Sequence, residues 1–230
     1  MLSFTEENYL KALLHLTLET GNKEDLGTNE LAAHLKVKPA TANDMLKKLK
    51  EKKFVYYKKY GKSSLTNEGK KLAIEVVRKH RLWKTFLYEK LEFTWDEVHE
   101  VAEQLEHIQS PKLVGRLDKF LNYPAFDPHG DVIPGANGEM KMPVKKTLNE
   151  EEIGHSCTMV GVKDNSAPFL QYVDKVGLSM NNQIKVLSKQ FYDDLIEIEV
   201  NGKRSSVSPK FAENIVIVCE DCSKKRVRKD

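Results

Sequence analysis

The sequence predicts an α+β fold in which helical modules precede a strand-rich one. Three observations carry this expectation. Apolar residues recur at helical spacing through the first half of the chain, a hairpin-like run with Tyr60-Gly61-Lys62 interrupts them early, and short strand-like runs follow a Pro/Gly/Asn-rich stretch. With 230 residues the chain has room for two or three small domains, each with its own core.

Taken in order, Phe4, Leu10, Leu13, Leu14 and Leu18 mark a first helix over residues 4–20, which Gly21-Asn22 stops. Thr28 is expected to cap a second helix, with Leu31, Ala32 and Leu35 facing inward, that ends near Val37. Pro39 suits the first turn of a third helix, where its missing N–H costs nothing; Ala42, Met45, Leu46 and Leu49 form its buried stripe. FVYYKKYGKSSLT then reads as two short strands around a glycine turn. Helix, short turn, helix, hairpin is the order of a winged helix-turn-helix, assigned to residues 1–66.

A long helix follows from Asn67 to about Leu91, after which Thr94 is expected to cap WDEVHEVAEQLEHIQ, with Asp96 and Glu97 at its positive end. Ser110-Pro111 restarts a third segment, KLVGRLDKFL. These helices, residues 67–121, carry more apolar surface than the winged unit can cover, so packing between two subunits is expected, with a monomeric bundle as the alternative. Residues 122–147 read as a linker. CTMVGV, NQIKVLSK, LIEIEVNGKRSSVSP and NIVIVC, with a helical insert over Ala167 to Val176, make residues 148–220 a small β-barrel. Residues 221–230 form a basic tail.

Composition narrows the function classes. No apolar run approaches the roughly 20 residues of a membrane span, and the acidic start MLSFTEEN lacks the basic n-region of a secretory signal. The expected location is the cytoplasm. Three cysteines, Cys157, Cys219 and Cys222, are too few for a disulfide framework and suit a reducing compartment. Cys219 and Cys222 have zinc-knuckle spacing, but no second pair is visible, so they are read as a reduced, incidental pair. The net charge of +3 is small, yet Lys36 to Lys62 holds ten lysines against Asp44 and Glu51, a local charge of +8 that suits a phosphate-facing surface.

The second helix of a helix-turn-helix presents its N-terminal residues to the edges of the bases in the major groove of double-stranded DNA. Here those residues are Lys38, Pro39, Ala40, Thr41 and Asn43. Asn43 has the geometry for a bidentate adenine pair, Thr41 can hydrogen-bond a base or phosphate, and Pro39 and Ala40 can touch a thymine methyl. Lys47, Lys48, Lys58, Lys59 and Lys62 are expected on phosphates, where they release counterions.

A second constellation lies on the helix after Thr94. His99, Glu103, Glu106 and His107, spaced by four, three and one, share one side of a helical cylinder and can converge on a cation. Asn8 and His80 could complete the set, because first-row divalent ions accept mixed oxygen and nitrogen ligands. A solvated acidic face with chance histidines would show the same spacing.

ENYLKAL at 7–13, RKHRLW at 78–83, HEVAEQLEHIQS at 99–110 and DPHGDVIPG at 127–135 resemble the diphtheria toxin repressor family, including its manganese-responsive transport regulators. The resemblance implies a repressor of metal uptake genes whose helical domain dimerises, whose last domain is SH3-like or FeoA-like, and whose homodimer binds an inverted-repeat operator once loaded with Mn(II) or Fe(II). No small-molecule substrate is implied. It makes Asn8, Glu103, Glu106 and His107 primary-site ligands and matches His80 and His99 to a second site. It adds Asp127, His129 and Asp164 as candidates through the DPHG segment and the start of the barrel.

The chain departs from the family at two positions. Lys84 stands where a glutamate ligand is usual, and a protonated ammonium does not ligate, so pairing with Asp127 and a second site either altered or absent are expected. Lys11 replaces a glutamate of the manganese sensors, which argues against a close two-metal cluster. Asn8 offers a neutral oxygen, implying a higher working metal concentration, and Glu103 in place of the cysteine of the iron-responsive branch favours a hard ion, manganese before iron. The rival readings are a metal-dependent hydrolase built on Glu103, Glu106 and His107, and a winged protein-interaction module without metal sensing. The sequence carries no nucleophile with a nearby base, and the expected protein is not an enzyme.

Overall fold

A computed structural model describes residues 2–20, 25–58, 61–94, 97–140, 144–164 and 166–219. Gly21-Asn22, Lys59, Tyr60, Asp96, Cys222 and the tail, on which several expectations rest, lie outside the described residues. The chain divides into two units: Met1–Pro124 with Ile133–Met140, and Ala125–Val132 with Lys141–Asp230. The stretch 122–147 thus passes from the first unit to the second, back, and out again.

In the first unit, α1 (Phe4–Glu19) starts on Ser3, whose hydroxyl accepts from the Glu6 amide while the Glu6 carboxylate accepts from the Ser3 amide. β1 (Leu26–Gly27), too short to read from the sequence, pairs with the wing. α2 (Thr28–His34) begins one residue earlier than expected: Gly27 is the cap, and the Thr28 hydroxyl donates to the Gly61 carbonyl instead of capping the helix. Gly27 holds the extended cap conformation, so Thr28 already lies inside the helix and its side chain turns to the wing. Lys36, at φ 53, makes the left-handed turn that lets α3 (Pro39–Glu51) cross α2, with Pro39 in its first turn as expected. β2 (Val55–Lys58) and β3 (Lys62–Leu65) form the wing in antiparallel register, Val55 opposite Leu65. Leu10, Leu13, Leu31, Leu46 and Leu49 are fully buried in one core, each contributing about 1.5–3 kcal/mol relative to exposure.

α4 (Asn67–Leu91) is capped by the Thr66 hydroxyl, which accepts from the Gly69 amide, and runs about 37 Å. Its first half packs in the winged core through Ala73, Ile74 and Val77; its second half joins a separate core with α5 (Val98–Leu105) and α6 (Pro111–Phe120) through Leu82, Trp83 and Leu87. α5 differs from the expected helix at both ends. Thr94 hydrogen-bonds the Glu97 carboxylate by hydroxyl and amide while the helix begins at Val98, and it ends with Glu106 as its cap. Arg78 ties α4 to Asp118 on α6 at 2.7 Å and to the Pro134 carbonyl.

The second unit is a six-stranded antiparallel sheet, order β4-β9-β5-β6-β7-β8, formed by β4 (Lys145–Thr147), β5 (Ser156–Val162), β6 (Gln183–Lys189), β7 (Ile196–Val200), β8 (Lys203–Val207) and β9 (Ile215–Cys219). A 3₁₀ turn (Leu148–Glu150) follows β4, and two helices pack alongside, α7 (Ala167–Val176) and α8 (Pro209–Ala212). Asn201-Gly202, both at positive φ, supply the two-residue turn that sets Val200 opposite Lys203. Alternation along β7 and β9 buries Ile196, Ile198, Ile215 and Ile217 in one core.

Candidate metal centre and nucleic-acid interface

α1, α4 and the end of α5 bring His80, His99, Glu103, Glu106 and His107 together with two residues not expected there as ligand partners, Glu7 and Lys11, and Asn8 lies between those two on α1. Glu106 is fully buried, and both its oxygens accept from the Lys11 ammonium, at 2.7 and 3.0 Å. His80 Nδ1 lies 2.5 Å from Glu106 Oε2, in a contact too poorly aligned to satisfy the ring nitrogen as a hydrogen bond. Burial alone would raise the Glu106 carboxyl, but His80 and Lys11 outweigh it and hold that group below its ordinary range. Burial, helped by the Lys11 charge, pushes the His80 imidazole down against the upward pull of the Glu106 carboxylate. Lys11 also reaches the half-exposed Glu103 at 3.5 Å, and His99 meets Glu103 at 3.4 Å while its ring stands edge-on to His80.

His107 does not share the helical face of Glu103, because α5 has ended before it. The turn swings the ring toward α1, where Nδ1 contacts the buried Glu7 carboxylate and Phe4 stacks on it with centroids 4.5 Å apart. Gln109 donates to the other Glu7 oxygen. Glu7 and Lys11 are four apart and so on one face of helix one, which was the available signal for both. Asn8 Oδ1 is buried with no hydrogen-bond partner, an oxygen whose desolvation nothing yet offsets. The orphaned oxygen on α1, the buried Glu106 carboxylate gripping an ammonium and the imidazoles of His80 and His107 against that carboxylate make up donors of the kind a hard divalent ion accepts.

The other candidates divide between the units: His80 and His99 belong to the first, as does Lys84, and Asp127, His129 and Asp164 to the second. Asp127 is fully buried, and its Oδ1 accepts from the amides of His129 and Asp131, which folds the DPHG segment into a tight loop. Gly130 at φ 76 is required there, since a Cβ would lie 1.2 Å from the Val160 carbonyl oxygen. His129 is exposed. Asp164 accepts from the Ser166 amide at 2.8 Å, and that bond lowers its carboxyl pKa.

On the winged unit, Lys38, Pro39, Ala40 and Thr41 are exposed at the start of α3. Asn43 is half-buried because the Tyr57 hydroxyl, from the wing, donates to its Oδ1. That bond uses one of two lone pairs and fixes the amide plane. Lys47 pairs with Asp44, and Lys58 and Lys62 share Asp25, all in exposed ion pairs that exchange readily for phosphate; Lys48 is exposed beside them. Lys52 instead reaches the Glu6 carboxylate at 2.6 Å and braces α3 against α1.

Comparison with known proteins finds three family matches along the chain. Residues 1–62 match the iron-dependent repressor N-terminal DNA-binding domain, residues 66–135 its metal-binding and dimerisation domain, and residues 146–219 the FeoA domain. A solved manganese-dependent transcriptional repressor in complex with manganese is 32% identical, with a TM-score of 0.60 over 93% of this chain and 99% of that one. The chain belongs to the iron-dependent (diphtheria toxin) repressor family. Among other members, the manganese regulator SloR is 31% identical, with a TM-score of 0.56 over 94% of this chain and 98% of its own. The iron-dependent repressor IdeR of Mycobacterium bovis is 45% identical over 71 residues, so the chain spans about a third of that relative's length, 31%. Among the described residues, no helix is long and apolar enough to cross a membrane.

Proposed function

We propose that this family member is a transcriptional repressor that binds an inverted-repeat DNA operator as a homodimer when loaded with Mn(II) or Fe(II), and so controls metal uptake genes. The observation that carries it is the cation bridge from α1 to the end of α5, in which the Lys11 ammonium is held by Glu106. Asn8, Glu103, Glu106 and His107 would hold the ion. A bound divalent ion supplies a stronger bridging charge than the ammonium. The residues do the rest: Asn8 and Lys11 sit on the first helix of the reading head, Glu106 and His107 on the helical domain, and fixing the two together fixes the position of α3. A ligand shifts that arrangement only by binding the DNA-competent form more tightly, and DNA then tightens metal binding by the same factor.

Dimerisation would use the apolar face where Trp83 and Phe86 of α4 meet Leu113, Leu117 and Phe120 of α6 around an open groove. Phe120 is 61% and Leu113 40% exposed, and a second copy is the occupant that the match to a dimerisation domain supports. His80 and His99 of the first unit are proposed for a second site that Lys84 alters or removes, and Asp127, His129 and Asp164 of the second unit are kept as separate ligand candidates. Gel shifts with Mn(II), with Fe(II) and with chelator test the reading. Metal-dependent retardation of operator DNA is expected; retardation indifferent to metal would contradict the metal switch, no retardation under any condition would support the interaction module, and metal-dependent hydrolysis without DNA binding would support the hydrolase.

A further inference from the structure

The second unit carries a separate constellation. Glu151 follows the 3₁₀ turn after β4, His155 precedes β5, and Cys219 ends β9, the strand that runs between them in the sheet. One donor atom from each lies within 4.8 Å of the other two. Glu151 is fully buried. Its Oε1 accepts from the Lys146 ammonium, the Glu152 amide and His155 Nδ1, each at 3.0 Å. Its Oε2 is buried with no hydrogen-bond partner, although a buried carboxylate oxygen left so is costly. Cys219 is buried as a thiol, not a disulfide.

We infer that Glu151, His155 and Cys219 form a binding site for a borderline-soft divalent cation, Zn(II) by its chemistry, in the FeoA-like unit, independent of the centre between α1 and α5. Carboxylate, imidazole and thiolate are the usual zinc donors, and tetrahedral bonds place such donors about 3.3–3.6 Å apart, within reach of a small side-chain rotation here. The thiolate sets this site apart from the oxygen-rich centre of the first unit, which suits a harder ion. Binding would cost the Cys219 proton, released to solvent, and would displace the Lys146 ammonium from Glu151. The ion would then pin the β4–β5 connection to the end of β9. Sequence spacing pointed to the neighbour Cys222 and hid this set, because Glu151 and Cys219 are far apart in the chain.

The test is titration of chelator-stripped full-length protein with Co(II), read by the thiolate-to-metal charge-transfer absorption that Asn8, Glu103, Glu106 and His107 are unable to produce. The band should grow in and saturate at one cobalt per chain beyond what the first unit's centre takes up. Cys219→Ser should abolish it, Cys157→Ser and Cys222→Ser should retain it, and His155→Ala should weaken Co(II) binding at least about tenfold. Lys146→Met, which removes the competing cation, should tighten binding about two- to fivefold. Should Cys219→Ser fail to fold by circular dichroism, the His155→Ala and Lys146→Met shifts decide. Absence of a thiolate band in folded wild-type protein, its survival in Cys219→Ser, its loss in Cys222→Ser, or unchanged affinity in His155→Ala overturns the inference.

Discussion

Replacing Lys11 by Met keeps the aliphatic stem and removes the ammonium that now stands in the carboxylate cluster. Two opposite effects follow from the distances. Without metal, the fully buried Glu106 loses the cation held at 2.7 and 3.0 Å and keeps the imidazoles of His80, at 2.5 Å, and His107, at 3.9 Å. Uncompensated buried carboxylates cost about 3–5 kcal/mol; with His80 still present the lower end applies, or about 6–12 °C in Tm for a chain of this size. With metal, the ion no longer has to break the ammonium contacts. A hydrogen bond to a charged group is worth about 1.5–3 kcal/mol, so Mn(II) should bind about 10- to 150-fold tighter to Lys11→Met. Isothermal titration with Mn(II), with thermal melts of the apo and loaded forms, reads both effects. A variant with lower apo Tm, larger Tm gain on Mn(II) and smaller Kd agrees with the account. An unchanged or weaker Kd together with an unchanged apo Tm would refute the idea that Lys11 is a tethered stand-in for the metal.

Other consequences are equally direct. Asn43→Ala should relax base preference at one position of each half-site by about 1–3 kcal/mol, and Tyr57→Phe should give a smaller loss at the same position; selection from a randomised operator library shows whether both map there. Removing Lys58 and Lys59 should weaken binding to every sequence and lower the salt slope by about 0.9 per lysine, which affinity measurements over a salt series will show. Because the Glu106 carboxyl is held below its usual value near 4.5, the stability it provides is complete above that pH and is lost as pH falls through the depressed folded value. The stability gap between apo wild type and Glu106→Gln in urea melts should therefore shrink on acidification below about pH 4.5 and stay constant above it. Phe120→Asp should shift the monomer–dimer equilibrium at least about tenfold toward monomer by sedimentation, since it puts a charge into the exposed apolar face.

Local chemistry made much of this legible. Pro39 and Ser110-Pro111 announced helix starts because a proline at the first turn costs nothing, and the alternation of Ile and Val in NIVIVC and LIEIEV matched the one-sided burial of β9 and β7. What escaped depended on partners distant in the chain. Thr28 looked like a cap, yet its hydroxyl is taken by the Gly61 carbonyl; α5 looked long enough to carry His107, yet it stops at Leu105 and the ring turns to Glu7. Asn8, Glu103, Glu106 and His107 could be picked out as candidates, but that Lys11 is embraced by Glu106, that Tyr57 holds Asn43, and that Cys219 neighbours Glu151 and His155 are facts of tertiary packing.

Anomalous diffraction from crystals of the full-length chain grown with Mn(II) and operator DNA speaks most directly to the central claim. A manganese peak bonded to Asn8, Glu103, Glu106 and His107, with the Lys11 ammonium turned out of the cluster, is the predicted result. Manganese located elsewhere while Lys11 still grips Glu106 in the DNA-bound form would contradict it.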